Sequence, residues 1–333
     1  MSLPLKDQRF SVLVDWLQQD LHLDIKHIVA ASTDASFRRY FRVTHNQGQH
    51  IVMDAPPDKE NTGSFVQIAE LFRTADIHVP MIVNKNIQQG FLLLEDFGSN
   101  HLLDSLHTGN AEKLYQEAMD SLFRLQTRIN IGLCKLPLYD QALLNRELNI
   151  FHDWFLEKRL GLVLPPAIIN HLHPLLIESA LEQPQVCVHR DFHSRNLMVL
   201  DSNSPGILDF QDAVIGPISY DLVSLLRDCY IDWPNAKIEE WSRHYYERLL
   251  DTGLVTVDFK HFSRWFDLMG LQRHLKAIGI FSRLHLRDGK SGYLADIPRT
   301  MHYICEITAK YPELMEFHTF LQLQVLPVYQ IAL

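Results

Sequence analysis

The segment His189-Arg190-Asp191-Phe192-His193-Ser194-Arg195-Asn196, followed thirteen residues later by Asp209-Phe210-Gln211-Asp212, constrains this 333-residue chain more than anything else in it. With uniform composition the four fixed letters H-R-D and N at this spacing arise by chance in about one chain in five hundred of this length. The flanks fit a strand, loop and hairpin. Val186-Cys187-Val188 is a short apolar run suited to a buried strand entering the loop, and Leu197 to Leu200 is another leaving it. Asp201-Ser202-Asn203-Ser204-Pro205-Gly206 is a dense turn signal that folds the chain back, so that Ile207-Leu208 delivers Asp209 beside Asn196.

These residue types suit phosphoryl transfer from ATP to a hydroxyl. That reaction needs a base to take the acceptor proton late, and oxygen ligands for Mg²⁺ that neutralises phosphate charge. Asp191 is the expected catalytic base, while Asn196 offers a neutral carbonyl oxygen and Asp209 a full carboxylate to the metal. Protein kinases continue from the metal-binding Asp through a Gly and a long activation segment. Here Gln211-Asp212 replaces the Gly, and Gly216 to Leu222 follows at once, leaving no room for that segment.

In these elements the chain resembles the aminoglycoside phosphotransferase and choline kinase family. Asp34 to Arg42, Val52 to Pro57, Leu93 to Gly98 and Gln272 to Lys290 further look like the bacterial anomeric kinases of N-acetylmuramate and N-acetylglucosamine in cell-wall recycling. The resemblance spans essentially the whole chain. It implies an α+β, bilobal protein-kinase-like fold, with a small N-terminal lobe built on an antiparallel sheet and a larger, mainly helical C-terminal lobe. It also implies phosphorylation at the sugar C1 hydroxyl, ATP and Mg²⁺ as cofactors, and His189 and Asp221 as structural supports of the catalytic loop. The alternatives are an aminoglycoside or other small-alcohol phosphotransferase, and a nucleotide-binding regulatory pseudokinase.

Read from the start, the chain opens with an amphipathic helix presenting Phe10, Leu13, Val14 and Leu17 on one face. Strands follow at Ile25 to Ala31, Phe37 to Thr44 and His50 to Asp54. Ser32-Thr33-Asp34-Ala35-Ser36, between the first two, lies where kinases fold a turn over the phosphates. It lacks glycine, but small polar residues can still cradle phosphate, so Ser32 and Ser36 are expected ATP contacts, with Arg38 or Arg39 adding charge-assisted bonds. The phosphate-pairing lysine expected in the third strand is absent, and Met53 takes its place. Its charge must come from Arg38, Arg39, Arg42 or Lys59. Glu70, on a helix over Ser64 to Ala75, is the candidate for the acid that normally pairs with that lysine.

Strands at Met81 to Asn84 and Phe91 to Leu94 run into Glu95-Asp96-Phe97-Gly98, where Glu95 and Phe97 are expected to meet the adenine. Helices are then predicted at Leu114 to Ile129, Ala142 to Leu160 and Pro166 to Leu181. The expected domains are therefore 1–97, nucleotide-binding, and 98–333, catalytic and acceptor-binding.

Composition decides the partner class. A net charge of −9 argues against nucleic acid and anionic membranes, and no apolar run approaches about 18 residues. The N-terminus lacks the basic-then-apolar profile of a secretory signal, so a cytoplasmic location is expected. The four cysteines are far apart and read as reduced packing residues, and the eighteen histidines include no H-E-x-x-H. From His261 to Thr300, however, seven basic residues face three acidic ones, leaving the remainder of the chain at −13. A polycationic acceptor calls for carboxylates; this surplus favours a neutral or acidic one, with Arg273, Lys276 and Arg287 as expected acceptor contacts. Oligomeric state is left open by the sequence.

Overall fold

The computed structural model of the protein describes residues 7–32, 37–107 and 109–331, without the side chain of Ser32. The calls on Ser36 and on the Ser32 side chain therefore lie outside the described residues.

The chain begins with α1 (Gln8–Asp15), capped where the Asp7 carboxylate accepts from the Phe10 N–H, and passes through a π-helical turn, Trp16–Asp20. Five antiparallel strands follow: β1 (Ile25–Ser32), β2 (Arg39–His45), β3 (Gly48–Asp54), and, after α2 (Thr62–Thr74), β4 (Ile82–Asn86) and β5 (Phe91–Glu95). They pair in the order β1-β2-β3-β5-β4. Period-2 alternation gives the sheet two apolar faces. Phe41, Val43, Val52, Phe91 and Leu93 bury one face under Leu13, Trp16 and Leu17 of the N-terminal segment. Met53, Leu92 and Leu94 on the other join Phe65, Phe72 and the main core. Of the four residues expected on the N-terminal helix face, Leu13 and Leu17 are fully buried and Val14 is half-buried, while Trp16 completes the contact.

Beyond Glu95 the chain is mainly helical: α3 (Leu102–Ser105), α4 (Ala111–Arg128), α5 (Gln141–Ile150) and α6 (Pro166–Leu181) precede a pair of short hairpins. In these, β6 (Gln185–Val188) pairs with β9 (Val214–Pro217), and β7 (Leu197–Met198) with β8 (Gly206–Ile207). The chain closes with α7 (Tyr220–Leu226), α8 (Asn235–Asp251), the 30-residue α9 (Phe259–Asp288), α10 (Ile297–Lys310), α11 (Met315–Phe320) and α12 (Leu326–Ile331). This is the expected α+β architecture, an antiparallel sheet at the N-terminal end and a larger helical part after it. No helix among the described residues is long and apolar enough to cross a membrane.

The helix expected as one piece over Ala142 to Leu160 changes pitch. It is α-helical to Ile150 and π-helical from Phe151 to Leu160. The change begins where α9 presses on the backbone: a Cβ on Gly279 would lie 2.5 Å from the Ile150 carbonyl oxygen and 2.7 Å from the Phe151 nitrogen. Sequence periodicity records side-chain faces, not such a backbone approach.

Gly279→Ala sets two effects against each other. Alanine in a helix interior gains about 1 kcal/mol over glycine, whereas forcing a methyl group into a packed junction costs about 1–3 kcal/mol. Since the obstacle is main chain, which cannot rotate away, the clash wins. The expected outcome is a lowered midpoint of thermal unfolding for Gly279→Ala, with Gly292→Ala, whose added Cβ meets nothing within 4 Å, unchanged or slightly raised.

Candidate active site

β6 enters the core and ends at Val188, just before His189, where the chain must turn sharply to expose a carboxylate. Arg190 makes that turn with a left-handed backbone, φ 78°. The N–H groups freed from regular pairing are taken up by Asp221 in the first turn of α7, whose Oδ2 accepts from His189 N at 2.6 Å and Oδ1 from Arg190 N at 3.0 Å. Burial pushes the Asp221 carboxyl up to about 7, with those two donors pulling the other way. His189 is fully buried; burial pushes its imidazole down to about 4, and its neutral Nδ1 accepts from Asp191 N at 3.2 Å.

A second brace holds the middle of the loop. Asp228 is buried, and its Oδ2 accepts from both Ser194 N (2.9 Å) and Ser194 Oγ (2.6 Å), while Oδ1 accepts from Tyr230 N (3.0 Å). Sequence reasoning missed Asp228, which lies outside any motif.

Asn196 donates from Nδ2 to the Asp191 carbonyl oxygen at 3.0 Å, which commits its amide NH₂ to the loop and leaves the amide oxygen as the end suited to a cation. The turn after β7 returns the chain as expected, with Leu208 N donating to Asn196 O at 2.9 Å, so Asp209 arrives beside Asn196. Asp209 also has a left-handed backbone, φ 61°, and the Gln211 amide donates to its Oδ1 at 2.8 Å. Both side chains line a cleft of about 300 Å³ between the sheet and the helical part. A neutral and an anionic oxygen donor facing one cleft fit Mg²⁺, a hard cation that takes oxygen ligands.

Of the four cations weighed for the missing lysine, the structure brings one to Asp209. Arg38 Nη2 lies 3.6 Å from Asp209 Oδ1, and its Nε lies 3.8 Å from Glu60 Oε2. Arg39 is held by Asp54 and Asp7, Arg42 by Asp96 and the Gly98 carbonyl, and Lys59 is exposed. Met53 is fully buried. Glu70 is not the paired acid: it faces solvent on α2 and lies 3.7 Å from Lys85. Glu60, just before that helix, takes the role, and only the Pro-rich turn before it hinted at its placement.

Phe97 is buried, lines the cleft and sits edge-on to His78. Glu95 also lines it, but its N–H donates to Met81 O at 2.9 Å and its Oε2 accepts from Met81 N at 3.2 Å. Its Oε1 lies 4.0 Å from His78 Nε2.

On the far side of Asp191 is a second cavity of about 120 Å³, lined also by Lys276, Arg273, Tyr220, Asp228 and Tyr230. The Arg273 guanidinium lies over the Tyr220 ring, 4.9 Å from its centroid, and Lys276 Nζ donates to Tyr220 Oη at 3.2 Å. Burial alone would raise the Asp191 carboxyl, but Lys276, then His193 and Arg190, hold it below its ordinary value. These cations therefore favour its ionised form. Arg287 is not brought here: it is exposed, pairs with Asp288 at 2.7 Å, and lies eleven residues beyond Lys276, about 16 Å along the helix axis.

The chain matches known proteins over most of its length. The phosphotransferase enzyme family matches residues 27–254. The chain is 43% identical to the N-acetylmuramate/N-acetylglucosamine kinase of Pseudomonas putida over 328 residues, covering 94% of this chain and 96% of that one. It is 40% identical to the kinase of the same name from Neisseria meningitidis serogroup B, covering 94% and 95%. Among solved structures, choline kinase from Streptococcus pneumoniae superposes with a TM-score of 0.66 at 11% identity, over 91% of this chain and 100% of that one. An ADP-bound aminoglycoside phosphotransferase does so with 0.57 at 14%, over 91% and 99%. At those identities the likeness is one of fold.

The place of Arg38 yields a test of the N-terminal cation. A lost charge-assisted hydrogen bond is worth about 1.5–3 kcal/mol, so Arg38→Ala should raise the KM for ATP by about tenfold or more. Lys59→Ala should change it by less than about twofold, as expected for an exposed charge. Steady-state kinetics with ATP as the varied substrate reads both.

Proposed function

The chain belongs to the phosphotransferase enzyme family, a kinase that uses ATP, and from that premise we propose that it transfers the γ-phosphoryl group to the anomeric C1 hydroxyl of N-acetylmuramate or N-acetylglucosamine. The observation that carries the reading is the second cavity. Asp191 opens onto a space whose other ionised side chains are Lys276, Arg273 and Asp228, and Asp228 is already engaged by Ser194. A polycationic aminoglycoside would meet two buried cations there. A neutral N-acetyl sugar, or one carrying a lactyl carboxylate, would not be repelled, and relatives at 40–43% identity bear the names of kinases for those sugars.

In this reading residues 1–97 hold the nucleotide and 98–333 supply catalysis and the acceptor site. Leu94, Phe97 and Met198 form apolar cleft walls for the adenine, the Glu95 carbonyl faces its edge, and Arg38 meets the phosphates. Asn196 and Asp209 would hold Mg²⁺, which supplies neutralisation of phosphate charge when bound. Asp191 receives the acceptor hydroxyl as a hydrogen-bond donor. The hydroxyl oxygen bonds to the γ-phosphorus, the bond to the bridging oxygen of the leaving ADP breaks, and the hydroxyl proton passes to Asp191. A carboxylate held below its ordinary pKa is a weak base, which suits a late proton transfer and the C1 hydroxyl, the most acidic of a free sugar.

Two outcomes are expected. Asp191→Asn, assayed with chemistry rate-limiting, should lower kcat by a factor on the order of 10² or more with KM for ATP nearly unchanged.

The other outcome concerns the product. ATP consumption measured with N-acetylmuramate, N-acetylglucosamine, kanamycin and choline side by side should respond to the two amino sugars, and phosphorus NMR should identify a sugar 1-phosphate. A methyl glycoside blocked at C1 should be inert and a sugar blocked at C6 should react. A 6-phosphate, or turnover of the methyl glycoside, overturns the assignment.

A further inference from the structure

Glu147 stands on α5, far from the nucleotide cleft, with a side chain only 4% exposed. Its Oε1 accepts from Arg190 Nη2 at 2.6 Å and lies 2.9 Å from Lys276 Nζ, and the Tyr139 hydroxyl donates to Oε2. One buried carboxylate thus gathers two cations from two separate elements, the catalytic loop and α9. Buried charges are paired or expensive, and what sets this carboxylate apart is that one of its cations belongs to the catalytic loop and the other lines the cavity with Asp191. The shared oxygen fixes the Lys276 ammonium in place, with Tyr220 Oη 3.2 Å away as its second contact, at the wall of the cavity it shares with Asp191.

We infer that Glu147 is a positioning residue: it holds the Lys276 ammonium, beside the Arg190 guanidinium, next to the Asp191 base, and Lys276 must carry its proton for turnover. This rests on the reading of Asp191 as the base of a kinase and extends it to two residues outside the motif. The charge count gives the reason. Glu147 balances one of its two cations, and the surplus positive charge is met by Asp191. When Asp191 takes up the acceptor proton its charge is lost, while Lys276 exchanges no proton and leaves its charge uncovered toward the anionic group being moved. Protonation also gives up the attraction that holds Asp191 ionised, so the ammonium assists through the anionic group that it faces and delays the proton transfer until late.

An ammonium so placed keeps its proton only with help. Burial pushes Lys276 down; Glu147 first, then Tyr220 and Asp191, raise it, and Arg190 repels it. Its surroundings otherwise hold Arg273 on its own helix, His193 on the loop and Asp228 beyond α7. Removing the negative charge of Glu147 takes away the largest support of the ammonium, so Lys276 deprotonates at lower pH. The alkaline limb of kcat must then move down.

The test is kcat and KM of the full-length protein for ATP against pH, with N-acetylglucosamine as acceptor and the unfolding midpoint of each variant recorded. Glu147→Gln is expected to move the alkaline limb down by about one pH unit or more, with KM for ATP changed less than about threefold. Adding Lys276→Arg to Glu147→Gln should move the limb back up, because a guanidinium does not titrate in this range. Lys276→Arg alone, which leaves Glu147 in place if Glu147→Gln does not fold, should carry the limb above that of the wild type. A limb that stays put in Glu147→Gln, or in Lys276→Arg, overturns the inference even where the unfolding midpoint falls. Absence of amino-sugar turnover in the wild type is the separate result that would remove the underlying reading.

Discussion

A loop that turns out of a buried strand to present a carboxylate strands its own backbone N–H groups in the interior, where each unpaired donor is costly. The carboxylate of Asp221 removes that cost at His189 and Arg190, and Asp228 does the same at Ser194. The rest of the site depends on these two braces. With them in place Arg190 tolerates a left-handed backbone, Asp191 reaches the second cavity, and the Asn196 amide can turn back onto the Asp191 carbonyl. Asp209, also left-handed, is held by Gln211 and by the hydrogen bond from Leu208 to Asn196. Strained backbone persists only where its surroundings over-determine it, and here the surroundings are buried acids of the helical part.

How much of this was legible follows from where the information lies. Residues 186–212 form one local unit, so their strands, their turn and the arrival of Asp209 beside Asn196 could be read from the motif and its turn signals. The sheet could be read from alternation, although Phe37, assigned to β2, lies outside it and is exposed. What the sequence hid is carried by contacts between distant residues. Asp228 acts on a residue 34 positions away and Glu147 on one 43 positions away, and neither stands in a motif. Glu70 misled because helical spacing separates faces without saying which one turns to the cleft. Arg287 misled because local charge surplus ignores length: α9 has 30 residues, and only its middle reaches Asp191.

The substitution of Met53 for lysine illustrates how an electrostatic requirement can be met from a different place. Met53 packs into the core with Leu92 and Leu94, a position closed to an ammonium without a partner. The positive charge that stands beside Asp209 belongs instead to Arg38, just before β2, and the acid beside it is Glu60 rather than one from the helix that follows. Arg39, the neighbouring candidate, faces the other way, as period-2 alternation requires, and is spent on Asp54 and Asp7. The loss of a lysine from its usual strand is thus weak grounds for reading a chain as inactive while Asp191, Asn196 and Asp209 share one site.

Cations stand at two places around the loop: Arg38 beside Asp209, and Lys276 with Arg273 in the second cavity that Asp191 lines. In the proposed reading the first would meet phosphate. The second would serve selection: a charge buried in low dielectric repels a like charge more strongly than it would in water, because solvent cannot screen it. Tyr220 strengthens this by covering Arg273 with its ring and accepting from Lys276, which keeps both heads at the wall and away from bulk water. A fold can host different acceptors because selection rests on side chains around the site, here Lys276 and Arg273 of α9, which stand outside the loop that carries Asp191.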